Sequence, residues 1–292
     1  FQYKDFAAWQ NNQLQSPASA VHRDYWLKKM AHPLPQLELP LDAARPARKT
    51  YRGKVVFFRL NEQRTEQLSH LNKKQGVSLF VTLTACLNLL LNYYTEEEDL
   101  ILGTPTTGRT HPQLQDQVGY FLDTLPLRNQ INNEMSFDGF LRQVQKNVAA
   151  AFDHQAFPFD QLVEDLKLAP APDRSPLFDV MLILQNTEKI NWTFGQAKLL
   201  PFFEDPGVSK YDLLWEFVEE PQGLLVSIGY NSDLFKHERI LAMRDDLSAI
   251  LDKLFADPTQ SIGEIKASLM TSKEKLNRTH QLHAFQTINE DF

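Results

Sequence analysis

The sequence holds a single cysteine in 292 residues, Cys86. One cysteine excludes an internal disulfide and the common structural zinc patterns, so no metal site is expected. Cys86 stands among Leu83, Leu87, Leu90 and Leu91, which reads as a buried core thiol and fits a reducing, cytoplasmic setting. No apolar run approaches the ~20 residues of a membrane-spanning helix, so no membrane span is expected. The net charge is −7 and no basic run interrupts it, which leaves nothing to recommend nucleic acid as a partner. Internal repeats are missing too. The opening FQYKDFAAWQ has neither an initiator Met nor a signal-peptide pattern, so the chain is read as a piece of a longer polypeptide.

What is present suits a globular protein. The length is enough to bury a core as one large or two small domains, and 20 Phe supply apolar bulk. Residues 1 to 32 read as helical, with Trp9 and Trp26 as packing anchors. Residues 33 to 52 carry Pro33, Pro35, Pro40 and Pro46, a density that gives extended chain. Arg45, Arg48, Lys49 and Arg52 in that stretch read as a solvated basic face. Val55 to Leu60 is a strand, and residues 62 to 75 a helix stopped by Gly76. Ser78 caps a nearly all-apolar helix that reaches Tyr94 and should be central. Ser136 caps a further helix ending at His154, and Pro158 starts a short one from Phe159 to Leu168. Leu177 to Leu184 is a strand, and Trp192 to Phe203 a looser one. Leu213 to Val218 and Leu224 to Tyr230 form a hairpin around a turn with Gly223, and a late helix runs through Ile240 to Leu254. Alternation of strands and helices predicts an α/β class with a mixed sheet.

The organising stretch runs from Leu100 to Leu162. Asp99 to Leu102 reads as a short strand ended by Gly103; a polar loop, Thr104 to Gln117, follows; then comes an apolar run from Val118 to Ile131. A long loop between two strands frames a functional site. Gly103, Gly108, Arg109 and Thr110 come within one residue of a phosphate-binding loop. Pro112 prevents the helix that such a loop needs, and Pro105 removes a backbone donor, so that reading is set aside.

Four segments, in order, resemble the motifs of a single family. Tyr3-Lys4-Asp5-Phe6-Ala7-Ala8-Trp9-Gln10 is similar to Y-x-D-[YF]-A-x-W-Q. Gly119-Tyr120-Phe121-Leu122-Asp123-Thr124-Leu125-Pro126-Leu127-Arg128 is similar to G-x-F-[VL]-N-T-L-x-x-R. His154-Gln155-Ala156-Phe157-Pro158-Phe159-Asp160 is similar to H-Q-x-x-P-F-[ED], and Asp173-Arg174-Ser175-Pro176-Leu177-Phe178 to a shortened R-x-x-S-x-x-P-L-F. Together they resemble the condensation domains of nonribosomal peptide synthetases; that family's catalytic signature, H-H-x-x-x-D-G, lies upstream of the first of these, and no adjacent His pair occurs in this sequence.

The resemblance therefore implies the C-terminal lobe of a chloramphenicol acetyltransferase-like fold, without a catalytic residue of its own. It implies residues 1–52 as N-terminal helices and inter-lobe segment, 53–270 as the lobe, and 271–292 as a linker toward an adenylation domain. The implied work is amide formation in secondary metabolism, such as antibiotic biosynthesis. The implied partners are the upstream N-terminal lobe, donor and acceptor carrier proteins and a downstream adenylation domain. No cofactor is bound directly; the carriers' phosphopantetheine arms arrive as substrates. The stretch around Thr106, Gly108 and Arg109 is similar to the family's floor loop, and Asn186 to Asp205 is the candidate for a strand that crosses to the other lobe.

Individual residues keep more than one reading. Asp123, with Gly119, Phe121 and Thr124, would face the reaction tunnel where the family has Asn. Alternatively it is a strand-end carboxylate bonded to Thr124 or to backbone. His154 could be a general base or a metal ligand, but a helix C-cap with an imidazolium on the dipole is the favoured reading. Arg128 is architectural, paired with Asp123 or another carboxylate. Tyr3, Asp5, Trp9, Gln155, Pro158, Phe159, Arg174 and Pro176 enter as motif residues. Two rival functions are a carrier-binding module without chemistry and a stand-alone acyltransferase using His154 and Asp160.

Overall fold

A computed structural model describes residues 2–109, 111–169, 171–185 and 205–269. Helices α1 (Tyr3–Leu14) and α2 (Pro17–Lys29) precede an extended segment that leads to strand β1 (Gly53–Leu60). Then come α3 (Glu62–Gln75), α4 (Leu79–Thr95), β2 (Asp99–Thr106), β3 (Asp123–Gln130), α5 (Phe137–Asp153) and α6 (Phe159–Asp165). Strands β4 (Val180–Gln185), β5 (Leu213–Glu220) and β6 (Gly223–Asn231) follow, and α7 (His237–Ala256) and a helical stretch at 262–269 close the described chain. The expected crossover strand and most of its segment, 186–204, and the expected linker, 271–292, lie outside the described residues.

The strands make one six-stranded mixed sheet in the order β1-β6-β5-β4-β2-β3. β4 runs parallel to β5 and to β2, and the other pairs are antiparallel. The β5–β6 hairpin closes on the pair Glu220 and Gly223, with Gly223 at φ 118° where a side chain would strain the backbone. α4 is buried from Val81 to Asn92 on every face, as its composition requires, and packs between α5 and α7. Gly76 ends α3 in the left-handed conformation and the Ser78 hydroxyl accepts from the Val81 amide.

Several expectations need correction. β2 does not stop at Gly103 but continues through Pro105 to Thr106, pairing with β3 up to Asp123. Gly103 is a packing position, since a Cβ there would enter the Phe178 ring. The loop accordingly spans 107–122, and Val118, Tyr120 and Leu122, read as part of an apolar strand, are exposed on it. Ser136 precedes α5 without a side-chain cap; the first amides of the helix instead donate to Gln260 O and Pro258 O. α6 ends at Asp165, with Pro158 at its N-cap position.

The basic residues of the extended segment are not all solvated. Arg45 forms a buried ion pair with Asp212 at 2.5 Å, and Lys49 Nζ donates to Ser175 Oγ at 2.5 Å. Asp42 holds Arg239 of α7 at 2.6 Å. The segment is thereby tied to the sheet, and Trp26, Met30 and Leu39 belong to the same apolar core as the strands.

Cys86 is fully buried in α4, and burial pushes its thiol up to about 12. The native chain is expected to leave a thiol reagent unreacted at neutral pH and to react with one equivalent once unfolded in urea. Prompt labelling without denaturant would contradict this placement of α4.

A candidate substrate-binding cavity

The ends of β2 and β3 meet at the pair Thr106 and Asp123, and a cavity of about 150 Å³ opens beside them. Trp9 and Gln13 of α1, His22 of α2, Phe121, Asp123 and Gln155 contribute to its wall. Residues from three of the four motifs thus meet at one place, although the chain separates them widely.

Asp123 faces this cavity with one oxygen committed. Its Oδ1 accepts from the Thr124 amide at 2.7 Å and from the Phe159 amide, the first of α6, at 3.3 Å. Pro158 at the N-cap position has no side-chain oxygen to offer, so a strand-end carboxylate supplies the cap. No hydrogen bond of the described residues uses Oδ2. Burial raises the carboxyl above its ordinary value; the two backbone bonds oppose that rise and the Asp160 charge adds to it. Asp123 is thus bonded at the strand end and also lines the cavity.

The loop folds on itself around Phe121. The Arg109 guanidinium lies 4.3 Å above the Phe121 ring and donates to Leu114 O. Gly108 adopts φ 63° and lies so close to Phe121 O that no side chain fits. Tyr3 meets Phe121 edge-on at 5.1 Å, and a side chain at Gly119 would collide with the Tyr3 ring. Phe6, Leu114 and Phe121 make a small core of their own. Asp5 accepts from the Gln2 amide at 2.8 Å and caps α1. Trp9 is not a buried anchor: it is 53% exposed at the cavity rim, whereas Trp26 is buried as expected.

Thr106 Oγ1 donates to Gln155 Oε1 at 2.7 Å and ties the base of the loop to the third motif. His154 does sit at the C-cap of α5, and its surroundings disfavour the expected imidazolium. Burial and the neighbouring His22 lower its pKa, with Asp153 opposing. Its Nδ1 lies 3.0 Å from His22 Nδ1, and its ring stacks on Tyr25 at 4.0 Å. Asp160 is exposed and accepts from the Gln161 amide, so His154 and Asp160 form no dyad. Among the described residues no group of three His, Cys, Asp or Glu could hold a metal.

Arg128 is at the other end of β3. It grips Asp99 through Nη2 at 2.6 Å and Nε at 3.0 Å, and donates to the carbonyls of Lys29, Ala31 and Pro33. It is architectural, with Asp99 and not Asp123 as its partner. Arg174 likewise joins Asp179, Glu38 and Leu37 O, and Pro176 O accepts from the Phe178 amide. The Phe159 ring packs 5.6 Å from Phe178. His22 and Gln13 escaped the sequence reading because they lie outside every motif. Only the long-range fold brings them to the cavity.

The model of the condensation-domain family matches residues 1–277, and the chain belongs to that family. It is 36% identical to tyrocidine synthase 3 of Brevibacillus parabrevis over 99% of its own length and 4% of that protein. It is 34% identical to gramicidin S synthase 2 of Brevibacillus brevis over 94% of its length and 6% of that protein. The chain therefore spans a small fraction of the curated relatives it matches. Among solved structures it resembles a four-domain nonribosomal peptide synthetase, holo-AB3403 bound to AMP and glycine, with TM-score 0.75 and 25% identity over 83% of this chain and 20% of that one. It also shares its fold with the condensation domain of the Monacolin K polyketide synthase MokA, with TM-score 0.79 and 20% identity over 88% of this chain and 62% of that one. The architecture is the chloramphenicol acetyltransferase-like α/β fold, a mixed sheet flanked by helices.

Proposed function

We propose that the chain is the C-terminal lobe of a peptide synthetase condensation domain and forms one wall of its reaction tunnel. The convergence of Trp9, Phe121, Asp123 and Gln155 on one cavity carries this reading. Val118, Tyr120 and Leu122 present apolar side chains to solvent around the same loop, and Tyr3 and Trp9 lie next to it. Such a patch fits a covering partner, here the upstream lobe with the H-H-x-x-x-D-G signature. In this reading residues 1–52 lead from that lobe, 53–270 form this one and 271–292 lead toward an adenylation domain. Donor and acceptor carrier proteins deliver their phosphopantetheine arms to the tunnel in the cytoplasm.

The acceptor amine attacks the carbonyl carbon of the donor thioester. A C–N bond forms, the C–S bond breaks, and the proton lost by the amine ends on the departing thiolate. This lobe aligns the two arms, and alignment supplies a large share of the barrier reduction. Asp123 Oδ2 accepts a hydrogen bond from the attacking amine, while Oδ1 stays on the backbone of α6.

Loaded donor and acceptor carriers mixed with this chain alone are expected to give no amide product by mass spectrometry, because no adjacent His pair is present. Adding the upstream lobe is expected to restore product. Turnover by the chain alone would overturn the reading.

A further inference from the structure

A neutral imidazole carries one N–H and one bare nitrogen. His22 Nδ1 and His154 Nδ1 lie 3.0 Å apart, a hydrogen-bond distance. Such a bond exists only when one ring carries its proton on Nδ1 and the other leaves Nδ1 bare. Two neutral rings of the same tautomer, or two imidazoliums, cannot make it. The pair joins α2 to the end of α5, and both sides belong to the candidate cavity: His22 is in its wall, and Gln155, next to His154, holds Thr106 at the end of β2. Tyr25 stacks on the His154 ring at an interplanar angle of 9°, and Trp26 Nε1 donates to His154 O at 2.9 Å, so the ring has little freedom to turn away.

We propose that His22 and His154 are positioning residues that hold α2 against the Asp123 cavity through one shared proton, and that double protonation loosens this wall. The coupling concerns the shape of the cavity and stands apart from the chemistry proposed for it. The charged groups around the pair come from each neighbouring element. Asp153 of α5 precedes His154 and favours its protonation, against burial and His22, which disfavour it. From α2 come Asp24 and Arg23, the latter paired with Asp165 of α6 at 2.7 Å. That ion pair ties α2 to α6 independently of the imidazole bond to the end of α5, so loss of the imidazole bond is expected to loosen the wall locally. Asp123 lies in the same cavity with the Asp160 charge near it, and its carboxyl is raised by burial. The sign for His154 is set by its lowered pKa: the stabilisation is fully present above the ordinary histidine value and is lost as pH falls through the lowered one.

The test is a long-range nitrogen–proton NMR spectrum of the whole chain labelled with ¹⁵N-histidine. His22→Gln and His154→Gln assign the two rings by their missing signals. At roughly pH 7.5, where neutral imidazole dominates, one ring of the pair is expected as the Nδ1–H tautomer and the other as Nε2–H. In His22→Gln the His154 titration is expected to move upward, because the neighbouring imidazole no longer opposes its charge. On acidification of the unaltered chain, amide protection, corrected for the intrinsic pH dependence of exchange, is expected to fall at least tenfold around His22 and Gln155, with α4 unaffected. Two Nε2–H rings at neutral pH would overturn the proposal. So would a His154 titration unmoved by His22→Gln, or protection that falls equally throughout.

Discussion

Asp212→Ala is expected to destabilise the chain by about 3–5 kcal/mol, the cost of stripping one partner from a buried ion pair. That is a large part of the roughly 5–15 kcal/mol that holds a domain folded. The Asp212 side chain is 1% exposed and that of Arg45 12%. Both guanidinium Nη atoms reach the carboxylate, at 3.1 and 2.5 Å, and Nη1 also reaches Asp173 O. Among the described residues Arg45 Nε already lies buried without a partner, so the alanine variant would leave the guanidinium with a single carbonyl there. The same change unpins the extended segment from the sheet. Urea unfolding measures the loss. Arg64→Ala is the comparison, since its pair with Asp252 is 30% and 55% exposed and should contribute at most about 1 kcal/mol. The double replacement Arg45→Met with Asp212→Leu removes both charges and is expected to recover most of the stability. A loss below ~1 kcal/mol for Asp212→Ala would contradict the burial assigned to this pair.

Asp123→Ala in the intact condensation domain is expected to slow amide formation by more than tenfold, about 1.4 kcal/mol of barrier. The stability loss should be smaller, about 1 kcal/mol, because the Thr124 and Phe159 amides lose a shared acceptor while the burden of a buried carboxylate is also lifted. Asp123→Asn keeps an oxygen for both backbone amides and an amide oxygen or NH₂ for the cavity, so its rate should stay within a few fold. Its stability carries a sign that follows from burial. The carboxyl is raised in the folded chain, so ionised Asp123 is a burden at neutral pH that fades as pH falls into the ordinary carboxylate range. Asn at this position is therefore expected to stabilise the chain at neutral pH and to lose that advantage in acid. Equal losses of rate and stability in Asp123→Ala would make the residue a cap and nothing more.

These two residues also separate what was legible in the sequence from what was not. Local signals read well: Gly76 and Ser78 end and begin helices where they were expected, and the unbroken apolar run of α4 is central. Gly103 misled, because whether a glycine ends a strand or makes room within one depends on Phe178, which arrives from a distant segment. Arg128 found Asp99 across the β2–β3 register and not Asp123 on its own strand. The basic segment looked solvated because Asp212 and Ser175 lie far along the chain from Arg45 and Lys49. The motifs marked Asp123 and His154, but His22 carried no mark, being 132 positions from its partner. The motifs thus marked the cavity through Trp9 of α1, Phe121, Asp123 and Gln155, whereas α2 with His22 reaches it only through packing.

The most direct measurement places a nucleophile on the proposed path of the arms. Asp123→Cys in the intact domain is offered a carrier whose phosphopantetheine arm ends in an electrophilic acyl group. Cys86 is buried, with its thiol pushed up to about 12, and does not compete. Gln67→Cys, exposed on α3, is the control for random encounter. The account expects rapid capture of the arm at position 123, visible as a covalent mass increase, and none at position 67 above background. Capture that is no faster at 123 than at 67, in a domain that still folds, would contradict the assignment of this cavity to the reaction tunnel.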